Sequence, residues 1–262
     1  MNLDKYIEIT RIGFRESIAY RLDAVMSFLT SAFYLLLAYY IWNAIAATGS
    51  LESSFSAVIA YIFVGQVVSN SMDVTLENEI GDRVREGTIV NELKRPISLK
   101  AHLYFYTLGQ SLFGFLSQAV PVAVLGFLVA GLEFPSAINA AAFLVSLFLA
   151  FNLVFALSYM TSMFVFWTKV GWSIRSMRST VQQLFSGVLF PLYLLPEYLK
   201  PVFHATPFPS MVDTPIGIFR METTGSGILA AFGQQLFWIA VLTVAGHLLW
   251  RKARKKLTVQ GG

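Results

Sequence analysis

Apolar residues in this chain come in long runs rather than in short alternating patches. A hydrocarbon layer about 30 Å thick takes about 20 mostly apolar residues to cross as a helix. Six stretches meet that requirement: roughly 24–47, 54–72, 101–131, 134–168, a fifth that starts near Ser179 and meets Pro191 and Pro196, and 227–250. The first is free of charge and carries Tyr39, Tyr40 and Trp42 near its far end. The third is interrupted by Pro121, and the fourth is long enough to tilt or to project beyond the bilayer. The pattern predicts an all-α integral membrane protein with six transmembrane helices.

Two segments break this pattern. Residues 1–23 carry Leu3, Ile7, Phe14 and Ile18 at helical spacing, with Glu8, Arg11 and Arg15 on a neighbouring face. That is the pattern of a helix lying in the membrane interface. The same residues hold eight charges and no apolar core of a signal peptide, so the first span reads as an uncleaved anchor.

The second is the stretch 73–100, whose residues 76–100 read LENEIGDRVREGTIVNELKRPISLK. Leu76, Ile80 and Val84 repeat every fourth residue, and Glu79 stands four residues before Arg83, the favourable order for a helical ion pair. Gly87 can end that helix. Thr88 then reads as the N-cap of a second short helix holding Ile89, Val90 and Leu93, closed by Pro96. Such a hairpin either rests on lipid or docks a soluble partner; composition leaves both open.

Composition reinforces the membrane reading. Of 262 residues, 56% are hydrophobic and 13% charged, against about 25% charged in an ordinary soluble domain. The sequence pI near 9.3 could point to nucleic acid. Sorting the basic residues by segment removes that reading. Lys5, Arg11, Arg15 and Arg21 precede the first span, and Arg83, Arg85, Lys94, Arg95 and Lys100 separate the second from the third. Lys169, Arg175 and Arg178 separate the fourth from the fifth, and Arg251, Lys252, Arg254, Lys255 and Lys256 follow the last. Only Lys200 and Arg220 lie elsewhere. The positive-inside rule then puts both termini in the cytoplasm, which demands an even number of spans.

Catalytic signatures are missing from the sequence. There is no cysteine, the three histidines are scattered, and neither a phosphate-binding loop nor a nucleophile elbow occurs. The expectation is a chain with no cofactor or metal of its own. No carboxylate pair falls within a span, which argues against a proton- or sodium-coupled carrier. The polar residues inside the spans are neutral: Gln66, Asn70, Gln110, Gln118, Asn152, Gln182, Gln183, Gln234 and Gln235. Each can tie helices together, at about 1 kcal/mol per bond, or line a transport path. Gln66 and Asn70, four residues apart on one helix face, favour the lining role most.

The run Arg83-Val84-Arg85-Glu86-Gly87-Thr88-Ile89, then Leu93, then Pro96-Ile97-Ser98, resembles the cytoplasmic loop of the membrane subunits of type 2 ATP-binding-cassette exporters. A second stretch is similar to the family's outer re-entrant helices between spans five and six: Gly187-Val188-Leu189-Phe190-Pro191, Pro196, and Pro207-Phe208 through Pro215 to Gly217. The resemblance implies a coupling region at 73–100, with Glu79, Arg83, Glu86, Gly87, Thr88, Ile89, Leu93 and Pro96 facing or supporting an ATPase subunit. It implies a connecting helix at the N-terminus and an outer re-entrant segment at about 190–222 with Gly187, Pro191 and Pro196. It also implies pathway walls from spans two and five, where Gln66, Asn70, Gln182 and Gln183 lie.

A permease of this kind works as a dimer with a second, identical or related chain. It is driven by two copies of a P-loop ATPase that hold ATP and magnesium, and sits in the cell membrane with no nucleic-acid role. A stand-alone carrier or channel would need internal repeats or a midplane ion site, and an intramembrane enzyme a catalytic pair in a span. Neither is evident in the sequence.

Overall fold

A computed structural model describes residues 3–49, 54–93, 97–129 and 131–259. The helices are α1 (Leu3–Ala19), α2 (Arg21–Ala47), α3 (Phe55–Asn70), α4 (Leu76–Arg85), α5 (Ile89–Leu93), α6 (Leu99–Gly114), α7 (Val120–Val129), α8 (Ala137–Ser162), α9 (Val165–Thr168), α10 (Gly171–Ser186), α11 (Lys200–His204), α12 (Asp213–Phe219) and α13 (Ser226–Val259). Among the described residues there is no strand.

Four helical stretches are long and apolar enough to cross a membrane: Leu22–Ala47, Leu99–Leu128, Ala137–Thr168 and Ser226–Lys256. Two of the six expected spans depart from this. The second, α3, is apolar but has 16 residues, about 24 Å at 1.5 Å per residue. The fifth does not start near Ser179. Its helix begins eight residues earlier at Gly171, carries Arg175 and Arg178, and stops at Gly187, which adopts φ +91°. The arginines made this stretch look like loop. Inside the protein, Arg178 is cancelled by a carboxylate from α4, so the helix can begin before the apolar run does.

The third span is not broken at Pro121. A wide turn of π-helix at Phe115–Ala119 precedes it, and the helix then continues to Val129. A proline lacks the N–H that would bind the carbonyl four residues back, and its ring crowds that carbonyl. The wide turn absorbs both effects.

The two faces of α3 hold the bundle together. Tyr61, Val64 and Val68 join a core with α4, α8, α12 and α13, whereas Ile59, Ile62, Phe63 and Val67 join one with α2 and α7. A helix apolar on all sides is a buried helix. Its N-terminus is capped by Ser54, whose hydroxyl accepts from the Ala57 N–H, and Ser98 and Ser136 cap α6 and α8 in the same way.

At α1, Leu3, Ile7 and Ile18 are exposed, while Phe14 packs edge-on against Phe113 of α6. The buried face is instead Ile9 and Gly13. A side chain on Gly13 would collide with the Tyr106 carbonyl of α6, and one on Gly109 with the Thr10 carbonyl of α1. This reciprocal glycine crossing brings the two backbones into contact and leaves Leu3, Ile7 and Ile18 of the stripe exposed.

A charged hairpin welded to a polar cavity

The α4 stripe buries Leu76 and Ile80, with Val84 packed against the same core. Beside the stripe stands Glu77, completely buried. Arg178 of α10 reaches it through Nε at 2.5 Å, and the Arg178 Nη2 group donates to the Val74 carbonyl at 2.8 Å. From α8, the Ser158 hydroxyl donates to Glu77 Oε2 at 2.8 Å and the Thr161 hydroxyl to Oε1 at 2.5 Å. A buried charge is tolerable only when it is paired and its remaining lone pairs are hydrogen-bonded, and Glu77 meets both conditions. Gly81 and Gly171 let the α4 and α10 backbones close on each other at the same crossing, where a side chain on Gly171 would collide with the Glu77 carbonyl. The hairpin is thereby fastened to two long helices.

Its far end is free of packing. Asp82, Arg85, Glu86, Gly87 and Thr88 are exposed, and Gly87 turns the chain with φ +74°. Arg83 binds Glu79 at 2.6 Å on a half-buried face. Ile89 is buried and anchors α5. The Thr88 side chain does not simply cap α5: its hydroxyl donates back to the Arg83 carbonyl at 3.4 Å, which ties the turn to the end of α4. Leu93 ends α5, and Pro96 lies outside the described residues.

Above this weld, α2, α3 and α10 enclose a cavity of about 910 Å³, with Gln118 from the π-turn in its wall. Gln66, Asn70, Gln182 and Gln183 all line it. Ser31 of α2, which the sequence reading missed, completes their network. The Gln66 amide donates to Ser31 Oγ at 3.1 Å and to Asn70 Oδ1 at 3.0 Å, and Asn70 donates to Ser31 Oγ at 3.2 Å. Gln182 accepts from Arg178 Nη1 at 2.9 Å, so the wall and the ion pair share one arginine. Arg175 and Asp73, 3.4 Å apart, stand at the same wall.

Beyond the cavity, Gly187 lies against the Tyr61 hydroxyl, where any side chain would collide. Tyr61 donates to Asp213 at 2.8 Å, and the Arg220 guanidinium lies over the Tyr61 and Tyr193 rings at 5.9 and 5.7 Å. Burial pushes the Asp213 carboxyl up from its ordinary pKa, with the Tyr61 hydrogen bond pulling the other way. Pro191 is buried and opens a single turn at Leu192–Leu194, while Pro196 is exposed.

The other span amides divide by role. Gln235 is buried and donates to the Ser146 and Ser210 carbonyls, tying α13 to α8 and to the turn before α12. Asn152 accepts from Tyr104 at 3.0 Å, and Gln234 donates to the His204 carbonyl at 3.4 Å. Gln110 lines a smaller pocket beside Glu16 and Asp23.

Glu77 and Arg178 were not singled out from the sequence. Glu77 read as part of an amphipathic hairpin under the membrane and Arg178 as a topology charge. The available signal was Ser158 and Thr161, two hydroxyls one turn apart near the end of a largely apolar helix. Among the described residues no cluster of His, Asp and Glu suits a metal ion.

Long apolar helices around a polar cavity, with a charged hairpin locked below them, define a multi-pass membrane protein of all-helical build. The family model described as ABC-2 family transporter protein matches residues 25–261, and the chain belongs to that family of ABC-transporter permeases. A search of curated proteins gave no significant match.

Proposed function

We propose that this chain is the non-catalytic permease subunit of an ATP-driven exporter. It crosses the cell membrane six times, with α3 and the α10–Leu194 stretch as its second and fifth passages and both termini in the cytoplasm. Two such chains, identical or related, enclose the pathway. Two separate P-loop ATPase subunits, carrying ATP and magnesium, engage the exposed tip of the α4–α5 hairpin at Glu86, Gly87 and Thr88. Gln66, Asn70, Gln182 and Gln183 face the transported molecule.

The observation that carries this reading is the Glu77–Arg178 weld. A motor outside the membrane can move spans only through a rigid element. Here a push on the hairpin reaches α10 through a buried ion pair and a glycine crossing, and the same arginine binds Gln182 in the cavity wall.

The test is co-expression with the ATPase encoded beside it and co-purification in detergent. Gly87→Pro forces φ near −65° where the turn needs +74°, and Glu86→Ala removes an exposed charge at the tip. Retention of the ATPase is expected to fall sharply with Gly87→Pro and partially with Glu86→Ala. Full retention in both variants rejects the docking assignment. Solute movement by the chain alone down an ion gradient replaces the whole reading with that of a carrier.

A further inference from the structure

The α1–α6 pair leaves a surface that neither helix covers. Tyr6 packs on Phe105 with ring centroids 4.6 Å apart, and Phe14 meets Phe113 eight residues further along both helices. The α1 helix therefore runs beside α6 in the same direction, along the first half of the apolar stretch Leu99–Leu128. Gly13 and Gly109 form the seam between the two backbones. Beside that seam runs a groove of about 710 Å³.

The groove has Leu3, Ile7 and Phe14 of α1 on one wall and Phe105, Leu108 and Leu112 of α6 on the other. Leu3 and Ile7 are 70% and 61% exposed. Thr10 turns its hydroxyl onto the Tyr6 carbonyl at 3.0 Å and adds no open polar group. Arg11 is the one charged residue in the wall. Its carboxylate neighbour Glu8 is 3.8 Å away, and both side chains are more than half exposed. Such a pair is weak, and one distant carboxylate does not occupy the five N–H donors of a guanidinium.

Shape and charge together select the occupant. A convex helix face gives an acyl chain contact along one side only. A groove between two helices gives contact on both sides, and dispersion adds with every contact. At the end of such a chain, a guanidinium matches a phosphate in geometry and charge. A protein helix seated here would have to bring an acid of its own to meet Arg11, whereas an anionic phospholipid brings the acid and the apolar tail in one molecule.

We infer that the α1–α6 groove is a binding site for an anionic phospholipid, with an acyl chain along Phe105 and Leu108 and the phosphate at Arg11. In the six-passage topology proposed above, the groove belongs to the cytoplasmic leaflet, whose surface is negatively charged. The lipid fastens α1 over the stripe that the glycine seam leaves open, and α1 leads into α2, which supplies Ser31 and Tyr34 to the cavity wall. The inference takes its leaflet from that topology and does not depend on the ATPase.

The experiment places a tryptophan in the groove, Phe105→Trp, in the full chain reconstituted into phosphatidylcholine vesicles. Increasing fractions of phosphatidylglycerol or phosphatidylcholine with brominated acyl chains are the quenchers. The signal of the parent chain, with its own five tryptophans, is subtracted. Half-maximal quenching is expected at an about fivefold lower fraction of the brominated anionic lipid, the contribution of one arginine near an anionic headgroup. Arg11→Gln is expected to erase that preference while quenching persists. Lys5→Gln, an exposed charge of α1 outside the groove, is expected to keep it. A second reporter, Leu112→Trp, repeats the measurement should tryptophan at 105 unseat α1.

Equal quenching by both lipids overturns the site, because the groove then meets ordinary bilayer. Equal loss of preference with Lys5→Gln and Arg11→Gln also overturns it, in favour of a diffuse surface field. Quenching by neither lipid at either reporter overturns it too, and means that protein covers the groove. None of these outcomes bears on ATPase binding, so the permease reading stands or falls separately.

Discussion

At the residue scale, Glu77 and Arg178 matter most. Removing one member of a buried ion pair leaves the other charge stranded and typically costs about 3–5 kcal/mol, whereas replacing both by neutral groups of similar size is often close to neutral. Glu77→Gln and Arg178→Met are each expected to lower the melting temperature of the purified protein markedly, and the double substitution to recover most of it. Additive losses in the double variant would mean that the two side chains act independently. Two glycines give a second comparison at this scale. Both Gly87 and Gly187 have positive φ, but nothing lies within 4 Å of a side chain placed on Gly87, whereas one on Gly187 meets Tyr61. Alanine at 87 is expected to cost about 1–2 kcal/mol, the left-handed penalty alone. Alanine at 187 is expected to cost more, read from denaturation midpoints.

The residues legible in the sequence were those with a local signature. The Glu79–Arg83 spacing, the turn at Gly87 and the shared face of Gln66 and Asn70 all depend on neighbours in sequence. Glu77 and Arg178 stand 101 positions apart. Nothing local to either one distinguishes a buried pair from two solvated charges.

At the scale of elements, long apolar helices announced themselves because bilayer thickness sets their length. Those that failed to do so were positioned by other elements. The start of α10 was hidden by arginines whose charge is met in space, and Pro121 looked like a break because the compensating π-turn has no sequence mark. The docking of α1 was hidden too. Its apolar stripe drew attention to lipid, while Gly13 and Gly109 hold it to α6. Replacing Gly13 by leucine is expected to detach α1, detectable as new protease cleavage within residues 3–19, while Ile7→Ala on the exposed stripe leaves that pattern unchanged. At the α4–α10 crossing, Gly171→Ala is expected to reduce ATP-driven transport more than ATPase binding, because it loosens the weld without altering the exposed tip.

At the scale of the whole molecule, the distribution of basic residues gave an orientation that no single helix carries. The chain has no cysteine, so one introduced thiol reports its own side of the membrane. Gly87→Cys and Lys252→Cys are expected to react with an impermeant maleimide only after cells are opened, and Tyr198→Cys in intact cells. Labelling of all three in intact cells would reject the six-passage topology.

The ion pair also imposes an order on biogenesis. The ribosome adds about 5–20 residues per second, so Glu77 emerges on the order of 5–20 s before Arg178, its partner 101 residues downstream. During that interval Glu77 lacks its arginine, and Ser158, Thr161 and Gly171 are made only late in it. The hairpin is thus made early and seated late. A chain that stalls or truncates before α10 presents an unfastened hairpin with Glu77 unpaired, open to proteolysis.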